Sequence, residues 1–219
     1  MNMPVQKIVK LTQTCIHNQY YEDKTLGLSI GIYNSNDILK TDFSEYGIQF
    51  ITLTEGSVDI SNNHTEKNEI VTNGKSFIIP ENYSPQLLPN KTFQAFYLCY
   101  NPPIKTLLEK PIDNHIIYID EKSEVTWQKT SDGFKKKLQY QNAKNNLTSG
   151  IWQGGNFKTG MITFPYNEFI FLKSGCLFCT DDQGTEHKIN AGNVLFIPQG
   201  VRCAWRSQEE ISIRFVQIQ

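Results

Sequence analysis

Residues 192–198, Gly192-Asn193-Val194-Leu195-Phe196-Ile197-Pro198, repeat residues 74–80, Gly74-Lys75-Ser76-Phe77-Ile78-Ile79-Pro80. The two stretches are 118 residues apart, which is close to half of the 219-residue chain. Other pairs recur at an offset of 119 residues: Gly31-Ile32-Tyr33 as Gly150-Ile151-Trp152, Gln49 as Glu168, and Gly56 as Gly175. A pattern repeated at this period indicates that a whole domain has been duplicated.

Short runs of β-branched and aromatic residues, separated by Gly, Asn and Asp, dominate both halves and are typical of antiparallel strands. A helical pattern is conceivable only over Ile104–Glu109. The chain is therefore predicted to be all-β. The predicted strands are Gly47–Leu53, Ser57–Ile60, Phe77–Pro80, Phe93–Tyr100, His115–Ile119, Gly160–Phe164, Glu168–Leu172, Cys176–Cys179, Val194–Pro198 and Ile211–Ile218.

A segment with three prolines, residues 101–114, separates the two copies. Lys7–Leu11 and Ile116–Asp120 have the character of matching opening strands, one for each copy. We therefore predict an N-terminal barrel over residues 1–110 and a C-terminal barrel over residues 111–219.

Composition excludes several classes of partner. A net charge of −1 gives no electrostatic reason to bind nucleic acid or an anionic membrane. The basic run Lys135–Lys137 is expected to lie in a solvated loop or at a strand edge. No apolar run is long enough to span a membrane, and the five cysteines are scattered, so a cytoplasmic protein with reduced thiols is expected. A homodimer formed through an outer sheet face is a further expectation.

Two spacings resemble known motifs: Glu168 with Gly175, and Gly192 with Pro198 and Gly200, are similar to the ends of the two cupin motifs. This resemblance implies two tandem cupin barrels, that is, double-stranded β-helices of the jelly-roll type. The second half more specifically resembles the branch with ureidoglycine aminohydrolase and the ethanolamine-utilisation cupins. That resemblance rests on Ser149–Trp152, Pro165–Phe169, Gly192–Gly200 and Trp205.

The cupin resemblance implies a metal site of three histidines and one glutamate, and here the histidines are missing. Ile162, Phe164 and Pro165 occupy the positions before Glu168, and Cys203 occupies the position of the last histidine. In the first copy Gln49 replaces the glutamate. No metal or other cofactor is therefore predicted.

Glu168 is the main candidate for a functional residue. A carboxylate inside a barrel lined by Ile162, Phe164, Ile170 and Trp205 is costly to ionise, so its pKa should be raised, as in a general acid or base. The alternative is an internal ion pair, with Arg214, Arg202 or Arg206 as the partner.

The remaining candidates concern ligand binding. Cys203 could act as a thiolate ligand or nucleophile, or could be a small buried thiol. We predict a small organic ligand bound by Glu168, Cys203, Trp205, Phe164, Arg214 and Gln49. The alternative is an enzyme with a degenerate site, a hydrolase or isomerase acting on a small polar metabolite with Glu168 as acid and base. Whether the protein catalyses any reaction is left open at this stage.

Overall fold

The computed structural model describes residues 8–11, 19–40, 43, 47–62, 65–81, 83–101, 115–130, 134–142 and 144–219. These residues form nineteen strands and one short helix, which confirms the all-β prediction. The described part of the chain contains no helix that is long and apolar enough to cross a membrane. The elements are β1 (Val9–Leu11), β2 (Gln19–Asp23), β3 (Leu28–Asn34), α1 (Ser35–Lys40), β4 (Ile48–Glu55), β5 (Ser57–Asn62), β6 (Thr65–Thr72), β7 (Ser76–Ile79), β8 (Gln86–Pro89), β9 (Gln94–Tyr100), β10 (Ile117–Tyr118), β11 (Gln128–Lys129), β12 (Lys135–Gln141), β13 (Leu147–Lys158), β14 (Ile162–Thr163), β15 (Asn167–Ser174), β16 (Cys176–Asp181), β17 (Glu186–Asn190), β18 (Val194–Ile197) and β19 (Arg202–Ile218).

The chain divides into two compact units. The first unit, Ile16–Asp120, has a six-stranded sheet in the order β10-β7-β4-β9-β3-β2 and a three-stranded sheet in the order β6-β5-β8. Apolar side chains of both sheets form one buried cluster, which is the core of this unit. Ile51 of β4, Val58 of β5 and Val71 of β6 are among its members.

The second unit, Met1–Cys15 with Glu121–Gln219, has one ten-stranded sheet. Its central strands run in the order β1-β18-β15-β19-β13-β12-β11, and β14, β16 and β17 are attached to the side of this path. The 17-residue strand β19 links the two parts of the sheet. Its beginning pairs with β14 and β16, and its end pairs with β15.

The repeated motifs have the same structure in both units, as duplication predicts. Gln49 of β4 pairs with Ile79 of β7, and Glu168 of β15 pairs with Ile197 of β18. The glycines of the repeat share a left-handed backbone conformation that favours glycine. Their φ angles are +71° for Gly56 and +82° for Gly175, and +78° for Gly74 and +84° for Gly192.

The strand that opens each half of the sequence pairs in the unit built mainly by the other half. β1 runs antiparallel to β18, and β10 runs antiparallel to β7. The compact units therefore differ from the predicted division at residue 110 by the exchange of these short strands. The local pattern of a three-residue strand cannot specify its partner, because pairing is a long-range choice.

Most predicted strands are present with shifted ends. The last one begins at Arg202 rather than Ile211, because the run from Arg202 to Ser207 alternates between outward and buried side chains and continues the strand. The helix predicted over Ile104–Glu109 lies outside the described residues. The basic run Lys135–Lys137, expected to be solvated, instead begins β12, and Lys137 is only 2% exposed.

Candidate functional site

A cavity of about 330 Å³ lies in the unit that contains Glu121–Gln219. Its walls come from β12, β13, β14, β15 and β19 and from the turns near β14 and β15. Ile162, Phe164, Ile170 and Trp205, the four residues predicted to line the barrel, all line this cavity. Its aromatic residues are Phe134, Trp152, Phe157, Phe164, Tyr166, Trp205 and Phe215.

Strand register decides which side chains face the cavity. Side chains alternate between the two faces of a strand, and directly paired residues share a face. Glu168 pairs with Gln217, and Ile170 pairs with Phe215. Gln217, Phe215 and Ile213 of β19 therefore point into the cavity together with Glu168.

The aromatic wall formed by Phe134 depends on a glycine. The Phe134 ring stacks on Trp152 at a centroid distance of 4.1 Å. A Cβ atom at Gly154 would lie only 1.8 Å from Cδ1 of Phe134. The absence of a side chain at Gly154 thus makes room for the Phe134 ring against β13.

A polar cluster of four side chains interrupts the apolar lining. The Gln217 amide Nε2 donates to Glu168 Oε1 and to the Tyr166 hydroxyl, both at 3.0 Å. Lys136 Nζ donates to Gln217 Oε1 at 3.3 Å and lies 4.6 Å from the centre of the Phe215 ring. The Gln217 amide therefore holds Glu168 on one side and Lys136 on the other.

Burial shifts the titration of these groups. It raises the pKa of Glu168 to about 7, although the Gln217 hydrogen bond and the Lys136 charge act in the opposite direction. Burial lowers the pKa of Lys136, while the Glu168 charge opposes that shift. Burial and the Glu168 charge raise the pKa of Tyr166 to about 12. The predicted direction for Glu168 agrees with this environment, and its carboxyl group can exchange a proton near neutral pH.

The Glu168→Gln variant is expected to be more stable than the wild type above neutral pH. Glu168 keeps its proton up to about pH 7 when folded but releases it near its ordinary pKa of 4.5 when unfolded, so the wild type loses stability as the pH rises between these values. We expect the variant to gain about 2–3 kcal/mol over the wild type at about pH 8 and to lose that advantage at about pH 4. Denaturant unfolding at both pH values checks this, and parallel curves for the two proteins would contradict it.

The predicted ion pair between Glu168 and an arginine is wrong. Arg214 Nη2 binds Glu121 Oε1 at 2.8 Å, and Arg206 binds Glu186 at 2.8 Å. Because Arg214 neighbours both Ile213 and Phe215, which face the cavity, its own side chain lies on the opposite face of β19. Arg214 is therefore not a cavity residue.

Cys203 is a core residue rather than part of the cavity lining. It is fully buried and accepts a hydrogen bond from Trp205 Nε1 at 3.0 Å. The Cys203 thiol also forms a hydrogen bond with the Cys179 thiol, which lowers the pKa of Cys203 and raises the pKa of Cys179. Of the predicted ligand-binding residues in this unit, Glu168, Trp205 and Phe164 line the cavity, whereas Cys203 and Arg214 do not.

Gln49, the counterpart of Glu168, lies in the core of the other unit. It is fully buried and accepts a hydrogen bond from the Tyr33 hydroxyl at 3.2 Å. Tyr33 stacks on Tyr97 at a centroid distance of 4.1 Å. The stacked tyrosines therefore hold Gln49 on the side of its amide oxygen, an arrangement different from that of Glu168.

Sequence reasoning missed Lys136, Tyr166 and Gln217. The signal for Lys136 was the alternation of Phe134, Lys136 and Leu138, in which the lysine shares a face with two apolar residues. Its place in a run of three lysines concealed this pattern. Within the described residues, no three or more His, Cys, Asp or Glu side chains are grouped so that they could hold a metal ion.

The chain is similar in sequence and in fold to known cupin proteins. A family model described as the EutQ-like cupin domain matches residues 142–214, a third of the chain. A protein of unknown function in the DUF861 family from Pseudomonas syringae pv. tomato is 13% identical, with a TM-score of 0.77; the match covers 97% of this chain and 99% of that one. No protein in the curated set matches the sequence significantly.

Two further solved structures cover the whole chain. A cupin 2 conserved barrel domain protein from Leptotrichia buccalis is 10% identical over 100% of this chain and 92% of its own, with a TM-score of 0.62. The Escherichia coli protein YlbA, also of the DUF861 family, is 11% identical over 100% and 94%, with a TM-score of 0.60. Such low identities show the fold alone, which is that of two tandem cupin barrels.

Proposed function

We propose that the C-terminal barrel binds a small organic molecule directly through the side chains of its cavity. The observation that carries this proposal is a cavity, open at Ile162, with aromatic walls and a polar cluster at Glu168 and Lys136. Ligand sites commonly combine an apolar lining with a few convergent polar groups. We also propose that the chain belongs to the cupin branch with ureidoglycine aminohydrolase and the ethanolamine-utilisation cupins. The EutQ-like match over residues 142–214 supports this assignment.

A variant that fills the cavity tests the proposal. Ile162 lines the cavity and is 45% exposed, so Ile162→Trp can place an indole in the opening without disturbing the deep core. We expect small-molecule fragments that bind the wild type to lose at least about tenfold in affinity, because the indole takes the space they need. Ligand-observed NMR with a fragment set gives the measurement.

The neighbouring variant Met161→Trp is the matched control. Met161 is 41% exposed and does not line the cavity, so the same enlargement should leave fragment binding unchanged. Equal losses in the two variants, or no fragment binding to the wild type, would count against a ligand site in this barrel.

The second candidate function is acid–base catalysis by Glu168, as a hydrolase or isomerase of a small polar metabolite. It is favoured by the pKa of about 7, which suits a group that both accepts and donates a proton. If catalysis occurs, Glu168→Gln should abolish turnover while cavity binding persists. A cavity ligand that is never turned over by the wild type would favour the binding function alone.

A further inference from the structure

Lys136 carries a positive charge that makes no direct ion pair in the described part of the chain, although the charge of Glu168, beyond the Gln217 amide, acts on it. The side-chain ion pairs of the described residues do not include it. Its ammonium group donates to the neutral Gln217 amide and lies over the Phe215 ring. A partly buried cation without a direct ion pair is costly, and an anionic ligand group would offset that cost.

Glu168 presents a second polar group to the same space. Gln217 Nε2 bonds to Glu168 Oε1, and this is the one side-chain hydrogen bond that the structure gives this carboxyl group. The other oxygen, Oε2, is therefore available to a molecule in the cavity. The Gln217 amide separates the carboxyl group from the Lys136 ammonium, so a ligand can contact both.

The walls favour a flat apolar body. Phe134 stacks on Trp152, and Phe164 stacks on Trp205 with a centroid distance of 5.5 Å. Aromatic rings pack well against such faces and edges. The volume of about 330 Å³ lies at the lower end of ligand pockets and suits a molecule with a single ring.

We propose that the ligand is a monocarboxylate with one aromatic ring, whose carboxylate accepts hydrogen bonds from the Lys136 ammonium and from the protonated Glu168 carboxyl. This inference rests on the proposed binding function and names its ligand class. A cationic amine is repelled by Lys136. A neutral amide fits the same space but lacks the charge that Lys136 attracts.

The proposal includes proton uptake on binding. Lys136 of β12 is the titratable group that acts on Glu168, while the Glu168 charge itself acts on Tyr166 and on Cys203 of β19; of these three groups only Lys136 is positively charged. A carboxylate placed beside Glu168 favours its protonated form. Where free Glu168 is ionised, above about pH 7, binding must therefore take up one proton and weakens as the pH rises.

Three compounds of similar shape test the ligand class: benzoate, benzamide and benzylamine. We expect benzoate to bind most tightly by isothermal calorimetry and ligand-observed NMR, and benzylamine to bind most weakly. Lys136→Met should weaken benzoate binding about 10- to 100-fold, because a charge-assisted hydrogen bond is lost. Lys136→Arg, which keeps the charge, should retain most of the affinity and serves if the methionine variant folds poorly.

Lys135→Met is the matched control. Lys135 is the preceding residue of β12, is exposed and does not line the cavity, so its removal changes the net charge equally. Benzoate affinity should stay within about twofold of the wild type, because exposed charges are screened by salt. Equal losses in the two lysine variants would overturn the assigned role of Lys136.

The pH dependence provides the second readout. Benzoate affinity should fall by up to about tenfold per pH unit above pH 7, and Glu168→Gln should remove this dependence while its amide N–H still donates. The ligand class would be overturned if benzamide bound as tightly as benzoate and its affinity were the same in Lys136→Met. The cavity would then remain a binding site. If none of the compounds binds and the fragment set also fails, the proposed function itself falls.

Discussion

Replacing Arg214 with alanine is expected to lower the free energy of unfolding by about 2–4 kcal/mol, because it truncates a fully buried side chain and removes the partner of the partly exposed Glu121. Arg214 is 1% exposed and is among the largest fully buried side chains of the described residues. It donates to Glu121 at 2.8 Å and to Ser212 at 3.1 Å. Burial acts to raise the pKa of Glu121, but Arg214 and Lys173 together hold that pKa below its ordinary value. The substitution removes this partner and also leaves a cavity.

The control for Arg214 is Arg206→Ala on the same strand. Arg206 also makes an ion pair at 2.8 Å, with Glu186, but both side chains are about one-third exposed or more. Exposed pairs contribute about 0–1 kcal/mol, so this variant should unfold almost as the wild type does. Chemical denaturation of both variants gives the comparison. Similar losses in the two variants would show that the burial of the Arg214 side chain does not raise the cost of removing it.

Replacing Gly150 with alanine is expected to cost about 3 kcal/mol, at the upper end of the range for overpacking. A Cβ atom at this position would lie 2.0 Å from the backbone oxygen of Lys137 on β12. A backbone atom cannot rotate away as a side chain can, so β12 and β13 must separate. The separation would also displace Lys136, and we expect cavity binding to weaken with stability.

Gly160→Ala provides the comparison, because a Cβ atom there would meet nothing within 4 Å. This variant should stay within about 0.5 kcal/mol of the wild type. Thermal unfolding of the two glycine variants measures the difference. If Gly150→Ala unfolds at the same temperature as the wild type, the close approach of β12 and β13 does not limit the side chain at this position.

Sequence alone predicted the duplicated all-β architecture because its signals are local. The repeated glycines require a left-handed backbone, as at Gly56 and Gly175, and the alternating apolar runs between them can form only strands. Both faces of β15 are covered, since Phe169, Ile170 and Phe171 are all buried. The exchanged strands β1 and β10 were not predictable, because each is too short to carry a partner signal.

The candidate site was predicted in part. Glu168, Phe164 and Trp205 were identified from motif positions, and all three line the cavity. The prediction that an arginine such as Arg214 would pair with Glu168 failed because it depended on the register between β15 and β19. A shift of one residue exchanges the two faces, and the observed pairing of Glu168 with Gln217 turns Arg214 outward.

The order of glycines, prolines and apolar residues in the chain by itself determined that there are two similar barrels and that Glu168 points into one of them. Only the tertiary structure decided that Gln217 and Lys136, rather than an arginine, are the neighbours of Glu168, and that Gln49 is bound by the Tyr33 hydroxyl. The physical reason is the distance along the chain over which each interaction acts. Backbone conformation and alternation are set by neighbours in sequence, whereas the environment of a buried charge is set by strands that meet only when the barrel closes.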